Sequence, residues 1–338
     1  MSKIETTYGS DEHGLVWGYR FPPGQPGTRV SAEEVIEALS NPEPTENPEF
    51  FWLHFSLSNV AAERWLRQKL DIPESFFESL HSETGSTRLE QDADSLVAVI
   101  HDVLFDSGYD ASAVATAHLY IDPRLLISAR RQALRSIDEL RAEVRSRGVF
   151  RSPVELLAHL LGAQADVLSD ILRKSTNRVD QIEDGLLANR LSAKRSELGS
   201  LRRVLVRLQR LLAPEPAALF RLLNRPPDWI LEEDIKNLQQ AAEEFSAAVA
   251  DTVALVERLR LVQEELAAHV NEQTNRTLFI LTVVTVLALP INLVAGLFGM
   301  NVGGIPLGES VHGFSAVAVT LLILTGFLAY FAFGRGRD

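Results

Sequence analysis

The 338-residue chain contains no cysteine. That one absence excludes disulfides, thiolate metal sites and cysteine nucleophiles. It also has no Walker loop, glycine-rich dinucleotide turn, nucleophile elbow or H-E-x-x-H pair, so nothing points to nucleotide-driven work or to catalysis. Basic residues are in the minority: 33 Lys and Arg face 45 Asp and Glu, a net charge of −12. This argues against nucleic acid as a partner. The opening stretch, "MSKIETTYGSDEHGLVWGYR", has no apolar h-region. No cleaved secretory signal is expected, and the first 276 residues are expected to stay where they are made.

The most informative absence is local. No Asp, Glu, Lys or Arg occurs in "TLFILTVVTVLALPINLVAGLFGM" (277–300) or in "FSAVAVTLLILTGFLAYFAFG" (314–334). Each run exceeds the roughly 20 apolar residues needed to cross a bilayer core, so both read as transmembrane helices. Arg276 precedes the first, Arg335 and Arg337 follow the second, and the connecting loop, 301–313, has no basic residue. Both termini are therefore expected on the inside, the tail 335–338 included, with a short loop outside.

Upstream, 1–130 reads as a mixed α/β domain. Its strand candidates are "GLVWGYRF" (14–21), "FFWLHFSL" (50–57), "SLVAVIHDVLF" (95–105), "ATAHLYID" (115–122) and "RLLISAR" (124–130), each short, apolar and bounded by turn formers. Pro- and Gly-rich loops flank one helix, "SAEEVIEALS", and "SNVAAERWLRQKL" reads as another, with Ser58 or Asn59 as its cap. From Arg131 to 230 strands vanish and apolar residues recur at helical spacing. There "LAPEPAALFRLLNRPPDW" (212–229) is expected to break the run, because it holds four prolines. A stalk helix, 231–276, then leads without Pro or Gly into the first span. As one continuous helix reaching Pro290, it would form a rod of about 90 Å.

Charge divides along the same line. Residues 123–225 carry twenty Arg and Lys against eleven acids, whereas 228–276 carry eleven acids against four bases. Such blocks are ordinarily solvated faces; the functional alternative is an acidic surface that concentrates cations near a membrane.

Polar side chains inside a bilayer are costly unless they face protein or water. On a seven-residue repeat, Asn275, Thr282, Leu289 and Gly296 share one position, and Leu278, Thr285, Asn292 and Gly299 its partner. This face gathers three of the span's four Asn and Thr residues, and only Thr277 falls outside it. Pore lining and helix packing both account for such a stripe. A single helical hairpin has no interior, so the pore reading requires several copies around an axis. Leu281, beside Thr282, is placed to narrow the inner half.

The segment "NEQTNRTLFILTVVTVLALPINLVAGLFGMN" (271–301) resembles the CorA family of metal-ion transporters, whose mark is a Gly-Met-Asn triplet ending the first of two spans. "FFWLHFSLSNVAAERWL", "YIDPRLLISARRQAL" and "VDQIEDGLL" are similar to the family's cytoplasmic segments, in order, so the resemblance covers most of the chain. Within the family, "GMNVGGIPL" (299–307) is similar to the ZntB zinc-transporter branch, because the acidic Met-Pro-Glu-Leu loop of the magnesium branch is missing.

The resemblance implies an α+β cytoplasmic domain of αβα build, long stalk helices and a two-helix membrane domain, assembled as a funnel-shaped homopentamer in a bacterial inner membrane. It implies that Gly299, Met300 and Asn301 form the outer mouth, where five Asn301 amides meet a cation through its water shell. The pore positions it carries over are Asn275, Leu278, Leu281, Thr282, Thr285, Leu289, Asn292 and Gly296, which coincide with the polar face. The implied cargo is Zn²⁺, with Co²⁺, Ni²⁺, Cd²⁺ and Mg²⁺ as other divalent candidates, and H⁺ as a candidate coupling ion. No cofactor is implied.

Glu309 and His312 are candidate cation-capturing groups of the loop. Glu264, Glu265, His269 and Glu272 are a candidate vestibule, with an ordinary helix surface as the alternative. His54, His101 and His118 lie in strand-like runs and are expected to be hydrogen-bonded structural residues. Two rivals to zinc transport remain at this point: a magnesium or cobalt channel of the same family, and a membrane-tethered coiled-coil sensor or scaffold.

Overall fold

The computed structural model describes residues 9–40, 48–82, 87–104, 114–187, 194–300, 306 and 310–334, the side chains of 187, 194, 195 and 331–334 excepted. The chain divides into two compact units, Met1–Val262 and Gln263–Asp338.

The first unit is built on seven strands: β1 (Leu15–Phe21), β2 (Thr28–Arg29), β3 (Phe50–Ser56), β4 (Arg88–Asp92), β5 (Ser95–Val103), β6 (Val114–Ile121) and β7 (Leu125–Arg130). They lie in the order β2-β1-β3-β7-β6-β5-β4. The β3–β7 pair is parallel, with Phe51 opposite Leu125, and the other pairs are antiparallel.

Helices cover both faces: α1 (Ala32–Ser40), α2 (Ala61–Lys69) and α3 (Glu74–His81) on one side, and α4 (Arg135–Arg145), α5 (Pro153–Leu187), α7 (Pro214–Asn224) and the start of α8 (Glu232–Phe298) on the other. α6 (Lys194–Leu212) follows α5. The run "FFWLHF" in β3 shows why the sheet is enclosed. Phe50 and Trp52 pack with Leu157 of α5, while Phe51, Leu53 and Phe55 pack with Leu66 of α2 and Phe76 of α3. A strand buried on both faces loses the usual apolar-polar alternation. Each such side chain removed from water contributes about 1.5–3 kcal/mol.

Helix starts follow their sequence signals. Ser31 and Glu34 form a capping box: Glu34 N–H donates to Ser31 Oγ (3.3 Å), and Ser31 N–H to Glu34 Oε2 (2.7 Å). Of the two caps expected for α2, Asn59 accepts from Ala61 N–H at 3.0 Å, just ahead of Val60 at the N-cap position, while Ser58 Oγ donates to the Arg131 carbonyl at 2.9 Å. The expected break at 212–229 interrupts the helical run at 213 and at 225–231, but a helix that was not expected, α7 (Pro214–Asn224), lies between. Pro214 and Pro216 sit in its first turn, where backbone N–H groups have no helical acceptor to lose, and Pro226 and Pro227 follow its end. Two strands and one further helix go beyond the expectations: β2, β4 and α3.

In the second unit, α8 continues to Phe298 and α9 spans Gly313–Gly334. Both helices contain stretches long and apolar enough to cross a membrane. Pro290 lies inside α8 without ending it. It removes the amide that would otherwise bond the Val286 carbonyl.

Candidate functional site

The polar stripe is carried by the second half of α8. Asn275, Thr282, Thr285, Asn292 and Gly296 are all exposed in the single chain, as are Leu278, Leu281 and Leu289. Among residues 271–300 only Val283 is buried. The hairpin alone therefore encloses nothing. Thr282 Oγ1 donates to the Leu278 carbonyl and Thr285 Oγ1 to the Leu281 carbonyl, each at 2.8 Å. Each hydroxyl proton is committed to its own helix, so the remaining lone pairs of the oxygen are what a neighbour can meet. Such a surface offers acceptors, which suits cations.

Beyond the helix, Gly299 N–H donates to the Ala295 carbonyl (2.9 Å) and Met300 N–H to that of Leu297 (3.4 Å). Among the described glycines only Gly14 and Gly24 have positive φ, so Gly299 does not act through a left-handed turn. What it supplies is clearance, since a Cβ there would stand 3.1 Å from the Ala295 carbonyl oxygen. Asn301 and Glu309 lie outside the described residues. His312 is exposed at the start of α9, where its carbonyl accepts from Ala316 N–H (3.1 Å) and Ser315 Oγ (2.9 Å). Glu264, Glu265 and Glu272 are exposed, and His269 Nδ1 lies 3.9 Å from Glu272 Oε2. The structure thus brings His269 and Glu272 together. Among the described residues no three His, Asp or Glu converge as metal ligands.

The strand histidines are hydrogen-bonded residues of the core. His54 is fully buried; its Nε2 accepts from Arg130 Nε at 2.8 Å, which leaves the ring proton on Nδ1 to reach Ser128 Oγ at 2.7 Å. Burial, with Arg130 and Arg141 adding positive charge, holds its pKa well below the usual histidine value. His118 Nδ1 lies 3.1 Å from Ser79 Oγ, and burial, with Arg131 and His101 nearby, lowers its pKa to about 4. His101 Nδ1 lies 3.1 Å from Thr87 Oγ1.

Sequence reasoning missed a buried cluster beside His101. Glu215 (1% exposed) accepts the His101 N–H at 2.7 Å, and Gln164 Nε2 donates to the His101 carbonyl at 2.6 Å. Burial, reinforced by the Asp102 charge, raises Glu215 to about 8. The partners are 114 residues apart, and no local pattern could have joined them.

A layered αβα unit followed by a two-helix apolar hairpin, with a polar, charge-free stripe on its first helix, describes a protein with two candidate membrane spans. The family model described as "CorA-like Mg2+ transporter protein" matches residues 47–335, and the chain belongs to this family. It is accordingly a divalent-cation transporter and not an enzyme.

Among its relatives, the zinc transport protein ZntB of Pectobacterium atrosepticum is 25% identical over 317 residues, 94% of each chain. The divalent cation transporter CmaX of Pseudomonas aeruginosa is 27% identical over 306 residues, 90% of this chain and 91% of that one. The solved structure of full-length CmaX superposes with a TM-score of 0.81 at 26% identity, covering 98% of this chain and 100% of the other. These matches leave the tether-or-scaffold reading without support.

Proposed function

We propose that the chain assembles as a homopentamer in a bacterial inner membrane, both termini cytoplasmic, and conducts Zn²⁺ through a pore lined by the α8 stripe. The observation that carries this reading is the stripe itself. Its Asn and Thr side chains lie exposed on one helix face of a hairpin with no interior, and its hydroxyl protons are turned back onto the helix. Around an axis, the Leu278, Leu281 and Leu289 side chains form apolar constrictions, and the Thr282, Thr285 and Asn292 side chains form the hydrated rings between them. Gly299, Met300 and Asn301 make the outer mouth, where amide oxygens hold a cation by its water shell rather than stripping it. With no nucleotide-binding motif, an existing gradient drives the flux, with protons as the coupling ion.

Zinc as cargo is favoured by the loop, which lacks the acidic element of magnesium transporters, and by the ZntB relatives. The second reading, magnesium or cobalt conduction, is favoured by the family description.

Zinc flux into liposomes holding the purified protein, followed by a trapped dye with and without a pH gradient, tests the proposal. Wild type should pass zinc, and faster down an imposed proton gradient; Asn301→Ala should lose at least about tenfold in flux. Magnesium or cobalt passing while zinc does not would transfer the case to the second reading. Unimpaired zinc flux in Asn301→Ala would remove the mouth from the triplet.

A further inference from the structure

β4 ends against β5 with Arg88 opposite Val99. Two residues further along β5, both backbone groups of His101 are taken by helix side chains: the N–H by Glu215 from the first turn of α7, and the carbonyl by Gln164 of α5. Two helices thereby supply hydrogen bonds that a longer β4 would have made. α7 packs on the sheet through Leu219 and Leu222, and the Glu215 carboxyl adds its hydrogen bond to the β5 backbone; α8 begins eight residues after α7 ends, at Glu232 after Asn224.

The surroundings of that carboxyl are short of protons. Glu215 Oε2 and Gln164 Oε1 are both buried without a hydrogen-bond partner. The groups facing Glu215 are Thr87 Oγ1, at 3.5 Å from Oε1, His101 Nδ1, at 3.9 Å, and Asp102. Asp102 is itself engaged by Ser136 N–H (2.9 Å), Ser136 Oγ (2.8 Å) and Val103 N–H (2.7 Å). No Lys or Arg among the described residues lies within ion-pair distance of Glu215. An ionised Glu215 would leave two acceptors orphaned and a charge uncompensated in the core. A proton on Oε2 removes the charge and turns one orphaned acceptor into a donor.

We propose that Glu215 is a proton-binding site, protonated when α7 is latched to the end of β5, and that loss of this proton releases the latch and with it the segment leading into α8.

The direction of the pH dependence follows from burial. Burial lifts the folded Glu215 to about 8, against the ordinary carboxyl value of 4.5 in the open chain. A raised folded pKa gives stability that is complete below the open-state value and is lost as pH rises through the folded one. Latch opening therefore increases about tenfold per pH unit and levels off near pH 8. Asp102, raised to about 6, and His118, lowered to about 4, titrate below pH 6.5.

The test is amide hydrogen exchange of the full-length protein in nanodiscs between pH 6.5 and 8, with intrinsic base catalysis divided out. In wild type, the His101 amide and the amides of α7 should open about fifteenfold more at pH 8 than at pH 6.5. Glu215→Gln keeps the acceptor, adds a donor and cannot ionise; its profile should be flat. A flat wild-type profile overturns the proposal, even if the variant fails to fold. So does a Glu215→Gln profile as steep as wild type, which would move the titration to His101.

Discussion

At the scale of single residues, burial in the core of the first unit keeps His54 and His118 in their neutral forms, and each has a fixed hydrogen-bond partner. His54 is held in one tautomer because Arg130 donates to Nε2 and Ser128 receives the Nδ1 proton; Ser128 Oγ also accepts from Trp52 Nε1 at 2.8 Å. A histidine whose folded pKa is depressed contributes stability above its unfolded pKa and loses it as pH falls through the folded one. For His118 the window runs from the ordinary histidine value of 6.5 down to about 4. Glutamine at 118 can keep a bond to Ser79 but cannot titrate. The stability advantage of wild type over His118→Gln should therefore shrink by about 3 kcal/mol between pH 6.5 and 4. Urea unfolding followed by tryptophan fluorescence reports this, since Trp17, Trp52, Trp65 and Trp229 all belong to the first unit. A gap that stays constant with pH would mean that His118 is protonated in the core.

At the scale of elements, α7 separates two effects of proline. Pro214→Ala should change stability by no more than about 0.5 kcal/mol, because Pro214 is exposed and the first turn has no helical bond to restore there. Ala218→Pro, one turn later and buried, should cost about 3 kcal/mol. Thermal melting of the two variants decides, and equal effects would deny the placement of the helix start. The same element shows where sequence reading stops. α5 and α6 were legible as helical sequence because their apolar spacing is regular. α7 was hidden because two of the four prolines that signal a break lie in its own first turn, where they are compatible with helix. β4, "RLEQD", was hidden because an edge strand with exposed charges has no apolar alternation to detect. The α8 stripe was legible because a heptad repeat survives in one dimension; the Glu215 cluster was not, because only folding brings α5, α7 and β5 together.

At the scale of the whole molecule, the pore reading and the packing reading of the stripe separate in the assembled protein. Valine copies the shape of threonine without its oxygen. In Thr282→Val with Thr285→Val, zinc flux through reconstituted protein should fall about tenfold while the melting temperature and mass of the oligomer hold, since a lost oxygen contact weighs about 1–1.5 kcal/mol. Unchanged flux with a dissociating oligomer would assign the stripe to contacts between helices.

Both borders of the sheet are blunted: β2 has two residues and β4 carries Arg88, Glu90 and Asp92. This acts as a safeguard against strands zipping together between newly made chains. With both strand edges blunted, a half-folded copy finds no template here, and any contact between copies is left to surfaces that exist only after folding.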